Sequence, residues 1–474
     1  MSNDATLLWH DYETFGADPK KDRPAQFAAI RTDLDLNEVG EPLEWYCQPP
    51  NDYLPRPGAC LVTGITPQIA QARGLGEPEF MARIHAEMSK PNTCVVGYNS
   101  IRFDDEVSRF GFYRNFFDPY SREWQHGNSR WDLLDVVRAT YALRPEGINW
   151  PEHEDGKPSF KLEHLTQANG ISHADAHDAV SDVRATIALA RLIKEKQPRL
   201  FDFFFKLRRK QAVAELIDVI NLKPLVHSSG KIPALQGCTT YVAPLVWHPV
   251  NKNAVIVVDL NGDLGPLLKL DDAALKARLY TPQAELAEGE SRPPVKLVHI
   301  NKCPILAPAK TLTPERADEL GIDRQRCREN LETLKAHPEL RDKLVTLFSE
   351  DGERPAQDAD EALYGGFFSD QDRATMEVVR RMDPQQLASG DVKFQDPRLN
   401  TLLFRYRARN YPHTLSEAEA QKWQRHREEV LVHGGSGYGM EDLMLELETL
   451  AQEKQDDSRA MNILKAVYDY AQSL

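Results

Sequence analysis

Asp11 and Glu13, two residues apart behind an apolar run at residues 5–9, are the first pair whose types and spacing could do chemistry. On a strand, residues i and i+2 share a face. Both carboxylates would then project together from the strand end, where hard oxygen donors can hold Mg²⁺. Taken alone, Asp-x-Glu is more often a pair of solvated charges. Two more acidic positions occur in comparable settings. Asp104 closes the stretch Asn99-Ser-Ile-Arg-Phe-Asp104, behind a second apolar run, at the start of a helical pattern. From there it could reach a metal cluster, or it could simply favour the positive end of the helix macrodipole. Asp182 lies among Ala179, Val180, Val183 and Ala185, and an inward-turned carboxylate needs a partner or a metal. His177 precedes it by five residues, ~140° around a helix of 3.6 residues per turn. The two do not share one stripe, which places His177 on or just before the first turn.

These residues need elements to position them. The first ~190 residues alternate strand and helix patterns. Strands are expected at 5–9, 26–31, 43–47 and 93–98, and helices at 103–117, 131–142, 160–169 and 176–195. Ser159 is the expected N-cap of the third of these helices and Gly170 its terminator. After a break at Lys196-Gln-Pro-Arg199, residues 200–220 read as helical. Thr239–Trp247, Ala254–Leu260 and Val295–Leu306 read as β-rich. Residues 350–361 are acidic and broken by Gly and Pro, as linkers are, and the remainder is mainly helical, with a Gly-rich loop from His433.

The 474 residues carry a net charge of −14, with 41% hydrophobic and 27% charged residues. That is a globular balance. No apolar run reaches the ~20 residues of a transmembrane helix, and no signal peptide opens the chain, so a cytoplasmic location is expected. The six cysteines are scattered without a C-x-x-C pair, which argues against a zinc site or a redox dithiol. The acidic balance is not the usual footprint of a nucleic-acid binder. A polyanion would need a locally basic groove, or metal ions that screen the carboxylates.

The ordered set Asp11-x-Glu13, Asp104 after Asn-x-x-x-Phe, and His177-x4-Asp182 resembles the DEDDh exonucleases, as do Thr63-Gly64-Ile65-Thr66 and Leu162-x-x-Leu165 before Gly170-Ile171. Phe15 departs from the pattern, standing where many members have Thr, and is expected to tune stacking on the terminal nucleotide. Asn128-Ser-Arg-Trp-Asp-Leu-Leu-Asp135, Arg144-Pro-Glu-Gly-Ile-Asn-Trp-Pro151, Val298-His-Ile-Asn-Lys-Cys-Pro304 and Phe404-Arg-Tyr-Arg-Ala-Arg-Asn410 further resemble bacterial exonuclease I across the whole chain. The resemblance implies an α/β chain. A ribonuclease H-like exonuclease domain (mixed sheet flanked by helices, 1–195) would precede a small β-barrel domain with flanking helices (198–350) and a C-terminal all-helical domain (355–474).

The implied activity is 3′→5′ removal of mononucleotides from single-stranded DNA, in repair and recombination, by two-metal-ion hydrolysis. Asp11, Glu13 and Asp182 would ligate Mg²⁺ (Mn²⁺ being a substitute), with Asp104 holding one ion and His177 acting as general base. A shorter RNA trimmer of the same superfamily, or a degenerate nuclease used as a DNA scaffold, are the rival readings. The ~280 extra residues argue against the first, and the intact acidic set argues against the second.

Residues 109–144 interleave bases and aromatics, as single-strand grooves do. Phe112, Phe116 and Phe117 fit a core better, whereas Tyr120 and Trp124 lie in a Pro- and His-containing stretch. The resemblance assigns Arg109, Tyr120, Trp124, Arg138, Arg144 and Lys161 to the DNA, with Glu13 also touching substrate. Lys296, Val298, Ile300 and Lys302 fit either a DNA-facing edge or a half-buried strand. Arg405, Arg407 and Arg409 fit either a groove or salt bridges. The resemblance also implies a monomer that docks the acidic C-terminal tail of single-stranded DNA-binding protein, with Arg144, Phe203 and Lys223 as the candidate site.

Overall fold

The computed structural model describes residues 5–172, 178–349, 357–435 and 437–474. The chain divides into two compact units. The first comprises Met1–Ser129, His173–Ile187 and Pro355–Leu474, and the second Arg130–Ser172 and Ala188–Arg354.

The first unit is built on a mixed sheet. Its strands are β1 (Thr6–Thr14), β2 (Pro24–Thr32), β3 (Leu43–Tyr46) and β4 (Thr93–Gly97), in the order β3-β2-β1-β4, and the next strand of the chain, β5 (Ser129–Asp132), begins at the boundary of the unit. β1 runs antiparallel to β2 and parallel to β4. Its ladder with β4 stops at Trp9 opposite Val96, whereas its ladder with β2 continues to Glu13 opposite Gln26. The last five residues of β1 therefore run past the β4 ladder, at the carboxyl end of the strands, where ligands of open α/β sheets gather. A Cβ on Gly97 would meet the Ser100 Cβ at 2.6 Å. The chain can therefore turn tightly out of β4 into the helix Asp104–Arg114.

One face of the sheet is covered by Phe80, Met81, Ile84 and Met88 of the helix Glu77–Met88 and by Val107 and Phe112, packed on Leu8, Tyr12, Phe27 and Val95. Phe110, Tyr113 and Phe116 join a second core with Met376, Leu399, Leu402 and Tyr406. Phe112 and Phe116 are thus core residues, as expected, and Phe117 packs partly buried beside them, but the helix expected over 103–117 ends at Arg114 and Phe116, at φ +61°, lies beyond it. The C-terminal part of this unit is helical, with Asp370–Val379, Pro397–Asn410, Glu417–Leu431, Met440–Glu453 and Ser458–Gln472 as its main elements.

The second unit holds an antiparallel five-stranded sheet in the order β10-β6-β7-β8-β9, with β6 Leu225–Ser228, β7 Thr239–Trp247, β8 Ala254–Asp259, β9 Val295–His299 and β10 Ile305–Pro308. The stretch expected to be β-rich over 295–306 holds two strands, and Cys303 takes a left-handed φ of 46° in the turn between them. The helical expectation over 200–220 holds only for Pro198–Lys206 and Lys210–Ala214, and the chain then turns into β6. Ser159 does not cap the helix Leu162–Ala168, whose N-cap is Lys161. Its hydroxyl instead sits 2.8 Å from His164 Nδ1. Gly170, at φ +65°, ends that helix as expected. Among the described residues no helix is long and apolar enough to cross a membrane.

Candidate metal centre

Asp11 and Glu13 leave β1 on one face, and Asp182 comes from the first turn of the helix Ala179–Lys196. One carboxylate oxygen from each lies within 4.8 Å of the others. Asp104, 3% exposed, stands at the first position of its helix. Its Oδ1 accepts the backbone N–H of Tyr12 at 3.1 Å, from within the Asp11-Tyr12-Glu13 segment. The four carboxylates expected from the sequence are thus brought together by three elements. His177 lies outside the described residues.

The cluster is electrostatically loaded. Burial, then Asp104, Glu13 and Asp182, push the Asp11 carboxyl well above its ordinary value. Burial, then Asp182, Asp104 and Asp178, push Glu13 up to about 8. Like charges this close favour protonation unless a cation neutralises them. An all-oxygen, anionic donor set of this kind fits a hard divalent ion.

Asp178 is a carboxylate that motif reading did not single out. Its Oδ2 accepts from Ser181 N at 3.1 Å and its carbonyl from Asp182 N at 3.0 Å. It therefore starts the helix that carries Asp182, a role its residue type at a helix start could have signalled. A cleft of about 740 Å³ opens beside Glu13, walled by Ala59 and Val62 of the helix Pro57–Thr63, by Phe103, and by Arg56 and Glu446. Of these five only Phe103 stood in a motif, and none was singled out as a site residue.

The expected DNA-facing residues are distributed unevenly. Trp124 is 66% exposed. Tyr120 is half-buried, 6.3 Å from the ring of Phe367, itself 85% exposed. Arg109 is buried: its Nε and Nη2 donate to Glu123 at 2.7 and 2.9 Å, and its Nη1 to Glu106 and the Tyr364 hydroxyl. Its guanidinium also lies 5.3 Å over the Tyr120 ring. In the second unit, Arg138 pairs with Asp135 at 2.6 Å, Arg144 donates to the Thr311 carbonyl at 3.0 Å, and Lys161 is exposed. Phe203 is half-buried against Phe204, and Lys223 is exposed.

Phe15 corrects an expectation. At 1% exposure it is packed with Leu54, Cys60, Leu443 and Val467, so it cannot stack on a nucleotide. Apolar burial takes the ring, because Cys60 of the helix Pro57–Thr63, Leu443 of Met440–Glu453 and Val467 of Ser458–Gln472 close around it. Arg405, Arg407 and Arg409 resolve to salt bridges with Asp358, Asp360, Glu419 and Asp52. Val298 is buried and the other residues of β9 are partly buried, so β9 is a half-buried strand, and Ile300 just past its end is buried too.

Comparison with known proteins accords with this architecture. Residues 8–190 match the family model described as Exonuclease, 208–350 the Exonuclease I SH3-like domain, and 357–474 the Exonuclease I C-terminal domain. Exodeoxyribonuclease I of Escherichia coli (strain K12) is 56% identical over 480 residues, covering 100% of both chains. The Haemophilus influenzae exodeoxyribonuclease I is 52% identical over 472 residues, covering 99% of each. Among solved structures, E. coli Exonuclease I in complex with a dA16 oligonucleotide superposes with a TM-score of 0.95 over 99% of this chain and 100% of that one, at 56% identity. The zinc-bound form of the E. coli enzyme with single-stranded DNA gives 0.95 at 55% identity, over 99% of each chain. With a ribonuclease H-like sheet that gathers its carboxylates, and more than half its residues shared with full-length relatives, the chain belongs to the exodeoxyribonuclease I family.

Proposed function

We propose that this enzyme hydrolyses single-stranded DNA from the 3′ end, releasing 5′-mononucleotides, with Mg²⁺ as its metal and two ions per site. The observation that carries this reading is the convergence of Asp11, Glu13 and Asp182 oxygens within 4.8 Å. Divalent metal ions serve this exonuclease family, and the E. coli relative has been crystallised with oligonucleotides and with zinc. Bound metal supplies Lewis-acid stabilisation of the attacking and leaving oxygens during in-line displacement at phosphorus.

The chain's own residues do the rest. Asp11, Glu13 and Asp182 would hold the metal, and Asp104, fixed by the Tyr12 N–H, would hold one of the ions. Glu13 also lies on the substrate cleft. His177 takes the proton of the attacking water on an imidazole nitrogen. The new P–O bond forms as the P–O3′ bond to the penultimate nucleotide breaks, the leaving O3′ takes a proton from solvent, and the shortened strand ends in a 3′-hydroxyl.

Tyr120 and Trp124 offer rings to the bases, while Arg138, Arg144 and Lys161 offer charge to phosphates. Arg109 is proposed to serve the DNA as well, from a guanidinium held by Glu123 and lying over the Tyr120 ring. We assign the chain three domains, at 1–195, 198–350 and 355–474, and read it as a cytoplasmic monomer in DNA repair and recombination. Arg144, Phe203 and Lys223 are the residues proposed for the acidic tail of single-stranded DNA-binding protein.

A DNA strand labelled at its 5′ end tests the main reading. A shrinking ladder with Mg²⁺, and none with EDTA, is expected. Immediate release of the labelled mononucleotide, or digestion in EDTA, contradicts it. Equal digestion of a matched RNA strand would move the enzyme among the RNA trimmers.

A further inference from the structure

The cleft beside Glu13 has a wall whose anchorage lies almost 400 residues away. The helix Pro57–Thr63 forms that wall with Ala59 and Val62. It begins without a local side-chain cap: its N-cap, Arg56, makes no capping hydrogen bond, and Pro57 has no N–H to offer. First-turn donors without partners are costly when the helix start is packed against protein. The donor at Gly58 is satisfied by Glu446, whose Oε1 accepts its N–H at 3.1 Å. Glu446 belongs to the C-terminal helix Met440–Glu453.

The carboxylate is itself fixed. Its Oε2 accepts the Tyr438 hydroxyl at 2.7 Å, and the Tyr438 ring carries the Arg56 guanidinium 3.3 Å from its centroid. The Arg56 N–H donates to the Phe15 carbonyl at 2.8 Å, which closes the chain of contacts two residues from Glu13. Behind the wall, Cys60 packs with Leu443, Leu447, Ile463, Leu464 and Val467. Gly58 leaves room for the contact, since a Cβ there would lie 3.2 Å from the Glu446 oxygen.

We propose that Glu446 is a positioning residue for exonucleolytic cleavage: it caps the cleft helix from the C-terminal region and sets the spacing between the Ala59–Val62 wall and Glu13 that a terminal nucleotide needs. This rests on the reading that the cleft receives the 3′ end of a DNA strand. A loosened wall misplaces the scissile phosphate without removing the contacts that hold the rest of the strand. Misplacement by about 1 Å costs on the order of 10²-fold in rate.

The experiment compares wild type, Glu446→Ala and Glu446→Gln on (dT)20. Three quantities are read: kcat per DNA-binding molecule, Kd for (dT)20 in EDTA, and melting temperature. In Glu446→Ala, kcat is expected to fall about 10-fold or more, with Kd within about twofold of wild type. Glu446→Gln keeps an oxygen acceptor for Gly58 and should recover most of the rate. A purely structural cap would lower the melting temperature and leave kcat per competent molecule unchanged, which overturns the proposal. So does a Gln variant as slow as the Ala variant. Should Glu446→Ala not fold, Gly58→Ala and Tyr438→Phe disturb the same contact more gently; normal kcat in both overturns it. A wild type inactive on (dT)20 would instead sink the underlying reading of function.

Discussion

The backbone N–H of Tyr12 donates to Asp104 Oδ1 at 3.1 Å, so the peptide segment that carries Asp11 and Glu13 also fixes a third carboxylate, 92 residues downstream. Asp104→Asn keeps an oxygen acceptor for that N–H but removes the charge. Supporting groups around metal sites are typically worth about 10–100-fold in metal affinity or activity. We expect a loss of that size in a Mg²⁺ titration of cleavage, with the melting temperature retained. An unchanged Mg²⁺ requirement and turnover would exclude Asp104 from the site.

Glu13 predicts a pH dependence of stability. Burial and the neighbouring carboxylates raise it from 4.5 to about 8 in the fold. Between those values the folded chain binds more protons than the unfolded one, so stability falls as pH rises. In EDTA, the wild-type melting temperature should therefore decline from about pH 4.5 to 8, and Glu13→Gln should decline less. Mg²⁺ should restore the wild type and do little for the variant. Parallel profiles for the two proteins in EDTA would contradict the account.

Arg409 spans Asp52 and Asp360 at 2.7 and 2.5 Å, and all three side chains are nearly inaccessible, at 6%, 2% and 9% exposure. Burial alone would raise the Asp52 carboxyl, but Arg409 and His426 outweigh it and hold the group well below the usual carboxylate range. Arg409→Met leaves two buried carboxylates without this cation, a loss of about 3–5 kcal/mol. Urea denaturation at neutral pH measures it. In wild type the contribution is present above the ordinary value of 3.8 and is lost as pH falls through the lowered one. The variant should therefore show a shallower loss of stability in acid. A variant as stable as wild type at pH 7 would remove the network from the stability account.

Trp124 is 66% exposed, and base stacking on such a ring is worth about 1–3 kcal/mol. Trp124→Ala should weaken (dT)20 binding by roughly 5–150-fold at fixed salt, leaving the melting temperature and the Mg²⁺ requirement alone. Unaltered binding in fluorescence anisotropy would take Trp124 off the strand's path.

The sequence by itself determined what short-range periodicity encodes. The two-residue repeat of a strand put Asp11 and Glu13 on one face, and both stand there in β1. The apolar spacing of Phe112 and Phe116 marked core, and both are buried, although only Phe112 stands in a helix. Thr239–Trp247 is a strand over the expected residues, and Gly170 ends its helix. The ordered carboxylates also carried the family. The tertiary structure alone decided which polar and aromatic residues work inside and which outside. Arg109 and Trp124 occur in the same basic, aromatic stretch, yet one is spent on Glu106, Glu123 and Tyr364 while the other stands in solvent. Phe15, expected at the substrate, was claimed by a core assembled from both ends of the chain. The partners of Gly58 and Asp52 lie 388 and 357 residues away. A guanidinium or a ring suits water and interior alike, and what settles its place is whether a carboxylate or an apolar face arrives opposite it. That is fixed by long-range packing, which no local repeat records.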